Sequence, residues 1–524
     1  MPQTTPLAAC SRRRSEADVS AIDYHALLPE IILATTVLVT LVVDLMTRKK
    51  YLVAITAMVG MFAAIVPVLT LTFCDSLEFC TATGADRVLF GGSYVVDAYA
   101  LVFKGVFIFA AFIALLLSIG YLEMDRYYEG EYYFLLIASA LGAVAMASSR
   151  DFVTMIVALE LVSGPAFLLA GWRKGDPRSN EAALKFFITG VIALALLLFG
   201  VSLLYGLTGT QQFDQLAVAS AGVAEMPLFT LGVIFVLLGF GFKVSAVPFH
   251  FWTPDTYEGA PPPVTAWLSV GSKGAGFVGL LSVTYLAFPE VSHIWGPVLW
   301  LVALLSMTVG NIVAIKQTNV MRLLGYSSIA QAGFMLAPFG AAAASNADNL
   351  DQAFSATVTY LVIYAVMNLG AFAVAIIIGS RVGSYELEDW AGLNRWAPGL
   401  AMALAVFFMS LAGIPPLAGW FAKFAMFQAT IGVGNWWGYS IAIAAAINAV
   451  IALVYYSNVL KVAFMDPVPQ GVDIEAFESA EVPGPIGFAL GLTAFGVILL
   501  GVFPGLAANL GEFSAQVVAS IGLG

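Results

Sequence analysis

Long apolar runs occupy most of this chain of 524 residues. Fourteen are long enough to cross a bilayer. Their cores lie near 27–46, 51–73, 95–122, 131–148, 152–171, 182–206, 228–248, 264–288, 294–315, 320–340, 353–379, 398–430, 437–464 and 484–507. About 20 apolar residues in helical form span the hydrocarbon core. Lipid offers the backbone no hydrogen-bond partners, so only helices and closed barrels can cross it. The runs are too long for barrel strands and do not alternate with period two. An all-α polytopic membrane protein of about fourteen transmembrane helices is expected. Composition agrees: 60% of residues are hydrophobic and 10% charged, against about 45–50% and about 25% in soluble domains.

Several function classes drop out early. The net charge of −11 comes largely from loop acids such as Asp466, Asp473, Glu475, Glu478 and Glu481, and does not point to nucleic acid. Three cysteines are too few for a disulfide scaffold or an iron–sulfur centre. Cys74 and Cys80 share one short loop, where a disulfide and two unpaired thiols both fit. Three scattered histidines, His25, His250 and His293, do not suit multi-haem ligation. Walker A, dinucleotide GxGxxG and HExxH patterns are absent from the sequence. No cofactor or metal site is therefore expected in this chain. Residues 1–26, with Arg12, Arg13 and Arg14, read as a polar tail, because the run that follows lacks a small-x-small cleavage site.

Lysine and arginine favour the cytoplasmic side of short loops. Loops after runs 1, 3, 5, 9, 11 and 13 hold Arg48, Lys49, Lys50, Arg126, Arg173, Lys174, Arg178, Arg381 and Arg395, with Lys316, Arg322 and Lys461 at run ends. The other side has only Arg87 and Arg150 in its loops. This bias places the first set in the cytoplasm, the acidic loop 466–483 with it, and both termini outside a bacterial cell membrane. The tail arginines oppose that orientation, and the many loops outweigh them.

Two runs are interrupted. The seventh reaches Lys243 and then Pro248, and continues as the polar-aromatic stretch PFHFWTPDTYEGAPPP. The twelfth contains GIPPLAG at 413–419, just before Lys423. Proline removes a backbone donor and clashes with the preceding turn, so each helix should break there. The breaks are five runs apart. Runs 4–8 (131–288) and 9–13 (294–465) can then form two five-helix repeats, the second inverted, with three helices (27–122) before them and one helix and a tail (484–524) after. Broken helices at matching positions of inverted repeats point to a transport path at the midplane.

Five charges lie inside apolar runs: Glu160, Lys185, Lys243, Lys273 and Lys423. A charge at the centre of a membrane helix costs about 2.5–3.5 kcal/mol on insertion scales. Each also has a bland reading. Glu160 can be a protonated hydrogen-bond donor. Lys185 lies near a run end, where it can snorkel and pair with Glu181 one turn earlier. Lys243 precedes a break, Lys423 follows one, and Lys273 is flanked by Gly271, Gly274 and Gly276, which leave room for close helix approach. His250 would share the face of Lys243 if that helix persisted. Lys104, within a few turns of Asp97, reads as structural. Together the set suggests a path for protons rather than sodium, since lysines repel a cation yet can carry a proton.

The segments KVSAVPFHFWTPDTYEGAPPPVTAWLSVGSKGAGF (243–277), NVMRLLGYSSIAQAGFML (319–336) and LAGIPPLAGWFAKF (411–424) resemble the antiporter-like membrane subunits of respiratory complex I. PDTYEGAP with SVGSK following is closer to the N-type subunits than to the L or M types or to Mrp antiporter proteins. The resemblance implies a proton-translocating subunit of an NADH–quinone oxidoreductase, with other membrane-arm subunits as partners and FMN, iron–sulfur clusters and quinone held by them. It implies Glu160 and Lys243 as the pair of a first half-channel, tuned by Lys185. It also implies Lys273 and His250 as the central connection and Lys423 as the terminal lysine facing the exit. Relatives usually carry histidine in the YSSIxHxG stretch, where this chain has Gln331, so a water or a hydroxyl such as Ser327 or Ser328 must serve there. A Mrp-like cation/proton antiporter and a non-pumping structural subunit remain alternatives.

Overall fold

Short polar residues mark where the helices begin. Asp23 accepts from Ala26 N, Asp151 from Thr154 N, Asp176 from Arg178 N and Asn435 from Gly438 N, each supplying an acceptor to a first turn that has none. Pro177 follows Asp176 at the first helical position, where its missing N–H costs nothing. The computed structural model describes residues 23–47, 49–73, 87–125, 131–343, 350–468 and 482–519.

The N-terminal part holds α1 (Tyr24–Met46), α2 (Lys50–Thr72), a two-stranded antiparallel ribbon (β1, Arg87–Leu89; β2, Tyr94–Val96) and α3 (Ala98–Asp125). Next come α4 (Tyr132–Ser148), α5 (Phe152–Ala170), α6 (Pro177–Thr208), the short α7 (Phe213–Ser220), α8 (Pro227–Lys243), the short α9 (Trp252–Gly259) and α10 (Pro262–Ala287). The last group is α11 (Ser292–Ala314), α12 (Val320–Ala343), α13 (Leu350–Val382), α14 (Pro398–Ala412), α15 (Ala418–Gly432), α16 (Trp436–Met465), α17 (Gly484–Val502) and α18 (Gly505–Ala519).

Ten of the described helical segments are long and apolar enough to cross a membrane, and α4, α8 and α14 are shorter apolar helices. The expected first helix starts at Tyr24 rather than 27, because Asp23 caps it. The expected run 228–248 is helical only to Lys243, and 398–430 is two helices. The tail 1–22, Arg48, Cys74, Cys80, Arg126, and Asp473, Glu475, Glu478 and Glu481 of the acidic loop lie outside the described residues.

Two helices form the centre. α10 is wholly buried and α13 almost wholly so, whereas α1, α6 and α16 leave broad apolar faces exposed. Those faces suit lipid, and the buried centre is where a charge needs protein partners. α10 packs on α3, α4, α5, α8 and α13, and α13 packs on α3, α12, α14, α15, α17 and α18. α10 is not a regular helix: it carries π-helical turns at Leu268–Ser272, immediately before Lys273, and at Val283–Ala287. Such turns are rare and frequently mark functional positions.

Candidate functional site

The first break is closed by its own chain. After Lys243 the backbone turns through Ser245 (φ +61). Ala246 N donates to Gly241 O, and Val247 N reaches Ser306 Oγ on α11 at 2.9 Å. Trp252 Nε1 returns to cap Phe242 O at 3.2 Å. Groups that the break frees are thus paired by protein, as lipid demands. The Lys243 side chain is buried and its Nζ donates to Ser163 Oγ on α5, which in turn donates to Leu159 O. Its ammonium also lies 5.5 Å from the Phe242 ring centroid and 5.8 Å from that of Phe167, a favourable placement for a cation. Glu160 is half-buried one turn before Ser163 on the same face. It lies within electrostatic reach of Lys243, but no direct ion pair joins the two among the described residues.

Gly276 makes this approach feasible. A Cβ there would meet Lys243 Cβ at 2.7 Å, so α10 and the end of α8 touch backbone to backbone. Three residues back on α10, Lys273 Nζ donates to Ser328 Oγ at 2.8 Å and to Ser328 O at 2.9 Å on α12. A void of about 10 Å³ lined by Lys273, Ser269 and Tyr364 is near the size that holds one water.

The second break is sealed by side chains. Gly413 ends α14 in the left-handed region (φ +92). Gly419 N donates to Ser410 Oγ, Gln331 Nε2 to Leu411 O at 3.1 Å, and Lys423 Nζ to Ala412 O at 2.5 Å. Lys423 is buried, with its ammonium 5.2 Å from the Phe334 ring centroid. Lys243, at a helix end, and Lys423, just after a helix start, therefore each stand beside a break.

Two expected residues stand differently. Lys185 is exposed and pairs with Glu181 at 2.7 Å and Asp255 at 2.6 Å. Arg322 joins Asp255 at 2.7 Å and Glu258 at 2.8 Å, so one ion network ties α6, α9 and α12 together. Asp255, on α9 between the spans, is held below the usual carboxylate range. Burial alone would raise it, and hydrogen bonds from Lys185 and Arg322 outweigh that. His250 is buried with Nδ1 unpartnered, but α8 ends before it, so it does not share a helical face with Lys243. Lys104 does not pair with Asp97. It meets Glu30 at 2.8 Å, with Tyr94 hydrogen-bonded to the same carboxylate, while Asp97 holds Arg150 at 2.5 Å.

Further buried polar residues surround Lys243, Lys273 and Lys423, of which Ser163, Tyr360, Asn368 and Tyr456 were absent from the expected set. Ser163 receives Lys243. Ser327 Oγ shares a 2.5 Å hydrogen bond with Tyr456 OH on α16, and Tyr360 OH on α13 donates to Gln331 Oε1 at 2.6 Å. Asn368 Nδ2 donates to Ser269 Oγ at 2.7 Å. The available signal was a hydroxyl or amide inside an apolar run, which is weak for tyrosine because its ring also reads as core.

Comparison with known proteins follows the same lines. The family described as NADH:quinone oxidoreductase/Mrp antiporter, TM, matches residues 149–448. The NADH-quinone oxidoreductase subunit N 2 of Streptomyces griseus is 40% identical over 93% of this chain and 92% of its own length. A chain of respiratory complex I from Thermus thermophilus superposes with a TM-score of 0.71 at 30% identity, covering 92% of this chain and 98% of that one. A chain of the Mrp complex from Dietzia shares the fold, with a TM-score of 0.79 at 19% identity over 96% and 100% of the two chains.

Proposed function

This chain belongs to the subunit N family of NADH–quinone oxidoreductases, within the wider NADH:quinone oxidoreductase/Mrp antiporter group, and on that premise we propose that it moves protons across a bacterial cell membrane. The path runs through Glu160, Lys243, His250, Lys273 and Lys423, with Lys185 biasing entry. NADH oxidation and quinone reduction take place in partner subunits of the membrane-bound complex, which hold the FMN, iron–sulfur clusters and quinone.

The observation that carries this reading is the surroundings of Lys243. Its ammonium is buried at a helix break, its partner is a hydroxyl that can both accept and donate, and a carboxylate lies within electrostatic reach. A lysine held only for structure would be expected to form a direct ion pair, since an unpaired buried charge is costly. A loose Glu–Lys arrangement lets one proton shift as the two charges approach and separate, and such titrations belong to the pair.

Helix adjacency supports two inverted five-helix repeats in a fourteen-span protein. α4 packs on α5 as α11 packs on α12, and α6 packs on α8 as α13 packs on α14 and α15. The fifth helix of each set, α10 or α16, contacts the first and the broken fourth. An odd number of spans per repeat inverts the second, an even total of fourteen puts both termini on one side, and the lysine and arginine bias of the loops makes that side the outside.

The test is Lys243→Met at the native locus. NADH-driven acidification and NADH–quinone turnover are followed together in inverted membrane vesicles, with assembly checked on native gels. An assembled complex in which both fall sharply supports the reading. Wild-type pumping would exclude Lys243 from the path.

A further inference from the structure

Gln331 sits between Lys273 and Lys423. On one side, Lys273 donates to Ser328 of α12, and the neighbouring Ser327 is bonded to Tyr456 OH. On the other, Gln331 Nε2 donates to Leu411 O, the carbonyl next to Ala412 O, which receives Lys423. The same amide nitrogen donates to Tyr456 OH at 3.4 Å, and the amide oxygen accepts from Tyr360 OH. Ser327, Gln331, Tyr360 and Tyr456 are all buried.

An amide neither gains nor loses a proton near neutral pH, so Gln331 cannot do what a histidine does. A hydroxyl can accept on a lone pair while it releases its own hydrogen. We propose that Tyr456, with Ser327, is the proton relay between Lys273 and Lys423, and that Gln331 is a positioning residue that sets the direction of the Tyr456 hydroxyl. This rests on the proton-path reading above and deepens it.

The step balances. A proton reaching Ser327 Oγ forms a new O–H bond there while the serine's original proton passes to the Tyr456 oxygen. Tyr456 then releases its former O–H proton, through water, to the neutral amine of Lys423. Each oxygen makes one bond and breaks one, and the charge ends on Lys423. Gln331 directs this because its N–H and the Ser327 O–H fill both acceptor positions of the Tyr456 oxygen and leave the Tyr456 O–H pointing away from Ser327. Turning the amide over presents its oxygen instead and reverses the hydroxyl, which resets the wire.

The test uses the whole complex in inverted vesicles. Tyr456→Phe deletes the hydroxyl and keeps the ring, which packs edge-on against Phe408 at 5.7 Å. Ser327→Ala removes the other hydroxyl with a smaller change, and decides the matter if Tyr456→Phe fails to assemble. A positioned proton-transfer group contributes about 10²–10⁴-fold. Slower steps elsewhere mask part of that, so a fall of about tenfold in pumping and turnover is expected for each variant. Adding Gln331→His to Tyr456→Phe restores most of the rate, because imidazole supplies the missing relay. The rescued enzyme also gains a pH inflection near neutrality, which a structural role would not produce.

Wild-type pumping in both hydroxyl variants overturns the relay, as does a Gln331→His that gives no rescue. Lys243→Met measured alongside separates the two levels. A silent Lys243→Met removes the lysine path itself, whereas an inactive one beside a silent Tyr456→Phe removes only this relay.

Discussion

Gly276→Ala tests whether close packing holds Lys243 in place. The added Cβ would lie 2.7 Å from Lys243 Cβ and 3.1 Å from its carbonyl carbon. Carbon atoms rest about 3.5–4.0 Å apart, so α10 and the end of α8 must separate by roughly 1 Å. Backbone atoms cannot turn aside, and overpacking of this kind costs about 1–3 kcal/mol. A shift of about 1 Å at a reacting group can cost about 10²-fold in rate, so loss of pumping should exceed loss of stability. Gly274→Ala is the control on the same helix. Its Cβ would meet Phe107 Cε1 at 2.9 Å, the edge of a side chain that can rotate, and nothing else closer than 3.7 Å. Thermal inactivation of the assembled complex reads stability, and NADH-driven acidification reads function. Gly276→Ala should lower both and Gly274→Ala should lower neither by more than a little. Equal effects of the two substitutions, or wild-type pumping in Gly276→Ala, would refute the packing argument.

Other outcomes follow from the charged groups and the second break. Lys104 has no exposed side-chain surface, and Glu30 is its partner. Removing either alone should cost about 3–5 kcal/mol, while Glu30→Gln with Lys104→Met together should cost clearly less. A double-mutant cycle on thermal inactivation measures the difference. Asp255 is depressed in the folded state, so its contribution is present above the ordinary aspartate value of about 4 and is lost as pH falls through its lower folded value. Acid inactivation profiles should therefore lose part of their acid sensitivity in Lys185→Met. The effect should be small because the network is partly solvated. Gly413→Ala forces a side chain into left-handed backbone at a cost of about 1–2 kcal/mol, and its Cβ would meet Lys423 Cδ at 2.7 Å. Pumping should drop in an assembled complex, as vesicle acidification would show.

Helix positions and both breaks were legible because apolar length and proline act locally. Lys243 and Lys423 stood out for the same reason, each beside a break. Partners were much less legible. Glu30 and Lys104 belong to different helices, and only packing brings them to 2.8 Å. Asp97 lies nearer to Lys104 along the chain, but it pairs with Arg150. Ser163 carried a faint signal, one turn beyond Glu160, but nothing in the chain showed that it would face Lys243. The ribbon at 87–96 escaped notice because its strands are three residues each, and α7 because eight residues are too few for periodicity to speak. In the C-terminal segment, α18 was read as tail because its apolar content is diluted by Glu512, Ser514 and Gln516.

The three deep lysines differ in what receives their protons, and that difference orders them. Ser163 gives Lys243 a hydroxyl, and Ser328 gives Lys273 a hydroxyl and a carbonyl. Ala412 gives Lys423 a carbonyl alone. Hydroxyls accept and donate, so a proton can pass through them, whereas a carbonyl only accepts a hydrogen bond. Lys423 therefore has no onward hydrogen-bonded route among the described residues, and on the proposed path its proton waits for water or a movement of the second break to supply one. Ser163 and Ser328 give their own hydrogens to the carbonyls of Leu159 and Gly325, so on the proposed path each hydroxyl must turn before a proton moves on, whereas Lys423 has no hydroxyl to turn. On the proposed path, release at Lys423, rather than transfer between Lys243 and Lys273, is then the step that a conformational change must control.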